Sequence, residues 1–159
     1  MPNVLRYQAV AETFAEIPDE ICLTISISGC KIRCPGCHSK FLWENKGDKL
    51  DIKELRRLVQ EHEHVSCILL MGGEHHTSTI ENLFIDLRLE FGNKYKLAWF
   101  RGDENLYAGR FCDYIKIGPY VEFLGPLTSK TTNQRLYRVV REGDRISFMD
   151  ITNIYHEDS

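Results

Sequence analysis

Cys30, Cys34 and Cys37 stand in the run Gly29-Cys-Lys-Ile-Arg-Cys-Pro-Gly-Cys-His38, spaced by three residues and then two. They offer three thiolates with no fourth nearby. A cubic 4Fe-4S cluster held by three protein ligands keeps one iron open to bind something else, which points to chemistry at the cluster and not to simple electron carriage. Two plainer readings stand beside it. Structural zinc wants four closed ligands, typically as two pairs; here the fourth would be a remote Cys or His, or His38, which adjoins Cys37 and completes a tetrahedron poorly. The third reading is a chance grouping of structural cysteines.

Met71-Gly72-Gly73-Glu74 is the second constellation. As a plain turn, its glycines permit positive φ and its Glu is solvated. As a binding element, the glycines let backbone approach a ligand closely while the carboxylate accepts from an ammonium group.

The elements that must position these residues follow from periodicity. Ile21, Leu23, Ile25 and Ile27 alternate with Cys22, Thr24 and Ser26, which predicts a strand ending at Ser28-Gly29, directly before the cysteine run. Asp51 with Glu54 three residues on marks a helix start, and Ile52, Leu55, Leu58 and Val59 recur at helical spacing. Cys67-Ile-Leu-Leu-Met71 reads as a strand buried on both faces, ending at Gly72-Gly73. Ser78 and Glu81 form a capping-box pattern ahead of Ile80, Leu83, Phe84, Leu87 and Phe91, with Gly92 as the stop. Tyr95 to Phe100 and Asp113 to Ile117 read as strands, with a weakly signalled short helix between Asp103 and Gly109. Gly118-Pro119, Gly125-Pro126 and the stretch Thr128 to Asn133 suggest an ordered loop. Leu136 to Val140 and Ile146 to Met149, around Gly143-Asp144, predict a terminal hairpin.

Strands alternating with helices imply βα units around a mainly parallel sheet, with the chemistry on loops after the C-terminal strand ends. Both the cysteine run and Gly72-Gly73-Glu74 fall at such ends. Arg101 and Gly102, after the next strand, share that face.

The chain has 159 residues, 43% apolar and 27% charged, with a net charge of -3. This length accommodates one domain, expected over 1–159 with a core of about 16–120 and a C-terminal loop and hairpin over about 121–159. Scattered Lys and Arg make no basic face, so nucleic acid is not an expected partner. No apolar run approaches the roughly 18–20 residues that span a bilayer, and Met-Pro-Asn-Val-Leu-Arg lacks a signal-peptide pattern. No membrane association and a cytoplasmic location are therefore expected. In that compartment Cys22, Cys67 and Cys112, beside apolar runs, read as buried hydrophobes and not as disulfide partners.

Taken together, Cys30-x3-Cys34-x2-Cys37 after a first strand and Gly72-Gly73-Glu74 after a second resemble the hallmark of the radical S-adenosylmethionine enzymes. The resemblance implies an α/β fold, a partial (β/α) barrel with a mainly parallel curved sheet and a C-terminal loop and hairpin extension. It implies a 4Fe-4S cluster on Cys30, Cys34 and Cys37 whose open iron binds the amino nitrogen and carboxylate of S-adenosyl-L-methionine. Gly72, Gly73 and Glu74 then hold the same amino group. Gly36, Cys37 and His38 lie where the family brings backbone near the adenine.

Glu16-Ile-Pro-Asp-Glu-Ile21, Cys34-Pro-Gly-Cys-His-Ser39 with Trp43, Asp113-Tyr-Ile-Lys-Ile-Gly-Pro-Tyr120 and Thr131-Thr-Asn-Gln-Arg-Leu-Tyr137 resemble one branch. It is that of the activating proteins of anaerobic (class III) ribonucleotide reductase. That branch implies reductive cleavage to a 5'-deoxyadenosyl radical, which generates a glycyl radical on the large catalytic subunit of the reductase. A one-electron donor such as flavodoxin or ferredoxin would supply the cluster. Alternatives within the class are an activator of another glycyl radical enzyme or a small-molecule radical enzyme. Outside it stands a non-catalytic zinc or iron-sulfur binding module. This chain departs from the family in having His75-His76 after Glu74, where a Pro is common; neither histidine is assigned a role. Ile117 and Pro119 stand where relatives have an Asp and a Lys, so Lys116 becomes the candidate for that cofactor contact. Asn133, Gln134, Arg135 and Tyr137 form either a partner-facing surface or a cap on the sheet.

Overall fold

The computed structural model describes residues 4–29 and 46–156. Its strands are β1 (Arg6–Thr13), β2 (Cys22–Ile27), β3 (Asp48–Lys49), β4 (Cys67–Met71), β5 (Lys96–Phe100), β6 (Tyr114–Ile117), β7 (Arg135–Glu142) and β8 (Arg145–Asp150). Two α-helices, α1 (Ile52–Glu61) and α2 (Thr77–Phe91), connect to β4 and β5. Short 3-10 turns occupy Glu74–His76, Leu106–Phe111 and Thr152–His156.

All eight strands form one sheet in the order β3-β1-β2-β4-β5-β6-β7-β8. β2, β4, β5 and β6 run parallel to one another. The pairs β1–β2, β1–β3, β6–β7 and β7–β8 are antiparallel. The expectation of a partial (β/α) barrel with a mainly parallel sheet is therefore wrong: the sheet is mixed and the helices are few. Only two α-helical crossovers are present among the described residues. The connection from β5 to β6 is a 3-10 turn, and both flanks are completed by antiparallel strands, which need only short links. The β7–β8 hairpin turns through Gly143-Asp144 as expected. β1 carried no sequence prediction, and it moves β2 from the sheet edge to its interior.

The parallel strands are added in one direction, so right-handed crossovers place both helices on the same face. There Leu55, Leu58 and Val59 of α1 and Ile80, Leu83, Phe84 and Leu87 of α2 pack on Leu23, Ile25, Ile27, Ile68, Leu70, Leu97 and Trp99. The opposite face buries Cys22, Cys67, Leu69, Ala98 and Phe100 beneath Ile17, Leu127 and Leu136. β2 is thus covered on both faces, and the polar half of its alternation is absorbed within the protein: Thr24 is buried, with its hydroxyl paired to that of Thr13 at 2.7 Å.

Helix α1 starts as its sequence dictates, with Asp51 Oδ1 accepting from the Glu54 N–H at 2.9 Å. α2 does not. It continues from the Glu74–His76 turn with no side-chain cap at its start. Glu81, expected in a capping box with Ser78, accepts instead from Arg110. Gly92 ends the helix at φ 57, its N–H returning to Arg88 O.

Glu54 ties α1 to the sheet, accepting two hydrogen bonds from Arg57 at 2.7 Å and one from the Tyr7 hydroxyl. The Arg57 and Tyr7 donors hold its carboxyl down at about 2, from an ordinary 4.5. A carboxyl depressed in the folded state stabilises the fold above the unfolded value, and that contribution fades as pH falls through the folded one. The urea midpoint is therefore expected to drop between pH 5 and about pH 2, with a shallower drop in Glu54→Gln. Identical slopes for the two proteins would remove Glu54 as a source of acid sensitivity.

Candidate functional site

Because β2, β4, β5 and β6 are parallel, their C-terminal ends lie along one edge of the sheet. Ser28-Gly29 leads from β2 into the cysteine run, Gly72-Gly73-Glu74 follows β4, Arg101-Gly102-Asp103 follows β5 and Gly118-Pro119 follows β6. The ligand candidates Cys30, Cys34 and Cys37 and the cofactor-contact candidates Gly36, Cys37 and His38 lie outside the described residues. At Gly29, the last described residue before them, the carbonyl oxygen accepts from His75 Nε2 at 3.1 Å, which ties the end of the β2 extension to the turn after β4.

The other three cysteines sit elsewhere. Cys22 and Cys67 are register partners at the first residues of β2 and β4, and Cys112 precedes β6. All three are buried, at the sheet edge opposite the site. A strand the length of β2 separates the edges by about 17 Å. The hydrogen bond with Cys22, and then burial, push the Cys67 thiol far up; burial does the same to Cys112. Cys67 and Cys112 in that state are neither ligands nor nucleophiles at neutral pH, whereas the hydrogen bond with Cys67 lowers the Cys22 thiol. Among the described residues no group of three or more His, Cys, Asp or Glu is placed to hold a metal ion.

The turn after β4 uses both of its glycines. Gly72 and Gly73 take φ 95 and 84, in the region that disfavours any side chain. A Cβ on Gly73 would lie 2.2 Å from Ile80 Cδ1, and one on Gly72 would lie 3.3 Å from Ile27 O. The turn is pinned to β5 at Gly72, whose N–H donates to Phe100 O at 2.9 Å and whose carbonyl accepts from the Trp99 indole at 2.7 Å.

Glu74 emerges from this turn with its carboxylate folded inward. Oε1 accepts from Gly102 N–H at 2.6 Å. Oε2 is buried and has no hydrogen-bond partner among the described residues. A buried carboxylate oxygen without a donor costs about 1–3 kcal/mol or more, so it is a place for an external ammonium or N–H. The residues present therefore fit the amino group of an amino-acid cofactor. The plain reading, a solvated Glu after a turn, holds only in part: the residue is half-buried, and Oε2 itself is shielded from solvent.

The remaining candidates divide. Lys116, opposite Phe100 in the β5–β6 register, lies half-buried with its ammonium 4.4 Å from the centre of the Phe100 ring. Arg101 is not open to any ligand. Its side chain is 1% exposed, and the guanidinium is taken up by Asp103, Thr77 and the Trp99 ring. Asn133 and Gln134 turn inward to brace the loop after β6, donating to Pro119 O at 3.0 Å and Gly118 O at 3.2 Å. These two brace the loop, while Arg135 of the same stretch keeps its side chain 43% exposed. Trp99, Thr77 and Asp103 belong to the site and carried no sequence signal: a Trp in an apolar strand reads as core, and its cross-strand carbonyl partner is invisible without the register.

Residues 21–104 match the family model described as a 4Fe-4S single cluster domain. The match spans just over half of the chain, from the start of β2 to the turn after β5, and contains both Cys30–Cys37 and Gly72–Glu74. The chain belongs to this family, and is thereby an iron-sulfur protein carrying a single-cluster 4Fe-4S domain. Neither the comparison with curated proteins nor that with solved structures gives a match. No described helix is long and apolar enough to cross a membrane.

Proposed function

We propose that this iron-sulfur protein is a radical S-adenosylmethionine enzyme that generates a glycyl radical on the large catalytic subunit of an anaerobic ribonucleotide reductase. The observation that carries the reading is the buried, unpartnered Oε2 of Glu74, on the sheet edge from which β2 delivers the three-cysteine segment. A cluster protein that only carries electrons needs no such acceptor.

Cys30, Cys34 and Cys37 are the proposed cluster ligands, each bound as a thiolate. Glu74 Oε2 accepts from the amino group of S-adenosylmethionine, with the backbone of Gly72 and Gly73 beside it. Lys116, and Gly36 and His38 around Cys37, are the proposed further cofactor contacts. When bound, cluster and cofactor supply one-electron cleavage of the sulfonium to methionine and a 5'-deoxyadenosyl radical able to take hydrogen from a glycine α-carbon. The protein binds and orients the cofactor and excludes water and oxygen. A ferredoxin or flavodoxin is the proposed electron donor. A chain of 159 residues suits a face that admits a polypeptide loop better than a cleft that closes over a metabolite.

The test is anaerobic reconstitution followed by reduction with S-adenosylmethionine present and the cognate reductase added. The expected results are stoichiometric 5'-deoxyadenosine and a glycyl radical signal by electron paramagnetic resonance. Cofactor cleavage without that signal would replace the reductase by another substrate. A colourless protein with one zinc per chain would overturn the enzyme reading.

A further inference from the structure

Three points of the candidate site are held from one place. Gly72 O is held by the Trp99 indole, Glu74 O by the Thr77 hydroxyl at 2.8 Å, and Glu74 Oε1 by Gly102 N–H. Arg101 touches all three supports. Its Nη1–H donates to Thr77 Oγ1 at 3.1 Å. Nε and Nη2 fork onto the two Asp103 oxygens at 2.7 and 2.6 Å, closing the turn in which Gly102 sits. Its guanidinium carbon stacks 4.4 Å from the centre of the Trp99 ring. The backbone continues the brace, with Arg101 N–H on Lys116 O and Gly118 N–H on Asp103 O.

Resting on the reading of Glu74 as the cofactor's carboxylate, we propose that Arg101 is the positioning residue of the site, fixing Glu74 so that Oε2 alone faces the ligand. The chemistry of the side chain explains the residue type. A buried cation is costly unless each face is satisfied. Only a planar guanidinium can fork onto a carboxylate, donate a further hydrogen bond and stack on an indole at once. Lysine would retain the charge and lose the fork and the stack. Desolvation is the largest single influence on Asp103 and opposes its ionisation, but the hydrogen bond and charge of Arg101 together with backbone N–H donors outweigh it and leave the carboxyl below its ordinary value.

A buried ion pair that merely stabilised the fold would affect stability without singling out the cofactor, and this separates the two roles. Binding of S-adenosylmethionine is measured by equilibrium dialysis on the reconstituted, unreduced protein, where cleavage does not run. Arg101→Lys is expected to raise Kd about tenfold, which is about 1.4 kcal/mol, with iron content unchanged and faster hydrogen exchange at the Gly102 amide. Thr77→Val, which removes only the hydroxyl relay, is expected to raise Kd about threefold, or about 0.7 kcal/mol, and stands in if Arg101→Lys does not fold. Val59→Ala on α1, far from the site, serves as a destabilised control with wild-type Kd. Wild-type Kd in Arg101→Lys, or an equal loss in Val59→Ala, overturns the positioning role. If the wild type itself does not bind S-adenosylmethionine, the reading of Glu74 falls. The clamp is then decided by exchange at Gly102, and unchanged protection in Arg101→Lys overturns it as well.

Discussion

Cys34→Ala, reconstituted anaerobically with iron and sulfide, is expected to hold far less than the about four irons of a cubic cluster and to lose S-adenosylmethionine cleavage by at least about 100-fold. Removing a group that only hydrogen-bonds a metal ligand costs about 10–100-fold, and loss of a thiolate from a set of three goes further. The structure makes the prediction demanding, because no other cysteine can step in. Cys22, Cys67 and Cys112 are buried at the opposite edge of the sheet, and bringing any of them to the site would require dismantling β2, β4 or β6. Cys67→Ser should consequently leave iron content and brown colour intact while lowering stability, since a hydroxyl replaces a buried thiol paired with Cys22. Iron analysis and absorbance of the two variants side by side provide the check. A Cys34→Ala protein with full iron and full cleavage would remove the ligand assignment, and iron loss in Cys67→Ser would place a ligand where the fold allows none.

The parts of this fold that were legible in the sequence are those whose signals are local. Ile52 to Val59 repeat with helical period behind an Asp cap, and α1 forms there. Cys67–Met71 is continuously apolar because β4 is covered on both faces. The glycine turn was legible because two consecutive residues at positive φ leave few alternatives to Gly. Sheet order is not local. The alternation that predicts β2 equally suits an edge strand or a central one, and nothing in Arg6–Thr13 announces that it pairs antiparallel with β2. Hence the parallel core of β2, β4, β5 and β6 was anticipated while the mixed sheet around it was not. The same limit applies to the site. Glu74 was visible as a carboxylate after two glycines, but its partition into one oxygen held by Gly102 and one left without a partner depends on how far the β5 turn reaches over β4. The role of Arg101 is hidden for the same reason. An Arg after a strand is usually solvated, and only the packing of Trp99 and the start of α2 reveals it as an internal clamp.

Gly73→Ala is expected to lower unfolding free energy by about 2–4 kcal/mol, from two separable sources. Holding an alanine at φ 84 costs about 1–2 kcal/mol, because a Cβ in the left-handed region crowds the following carbonyl. The new methyl would also lie 2.2 Å from Ile80 Cδ1, an overpacking contact of about 1–3 kcal/mol. The stiffer unfolded chain returns about 0.4–1 kcal/mol. Ile80→Val separates the two sources, since valine lacks the δ-methyl while the remaining neighbours of the added Cβ, Ile27 Cγ2 at 3.4 Å and Ile80 Cγ1 at 3.6 Å, are ordinary contacts. Alone, Ile80→Val should cost about 0.5–1.5 kcal/mol. Combined with Gly73→Ala it should cost less than the sum, with a favourable coupling of about 1–2 kcal/mol read from urea titrations of the four proteins. Cofactor binding should not recover with stability. The backbone strain at residue 73 persists in the double variant and redirects Glu74, so its Kd for S-adenosylmethionine is expected to remain well above that of Ile80→Val. Additive stabilities would show that α2 yields to the methyl and that the strain at φ 84 is the whole cost. Full recovery of binding in the double variant would show that the packing of Ile80, and not the left-handed turn, aims the carboxylate.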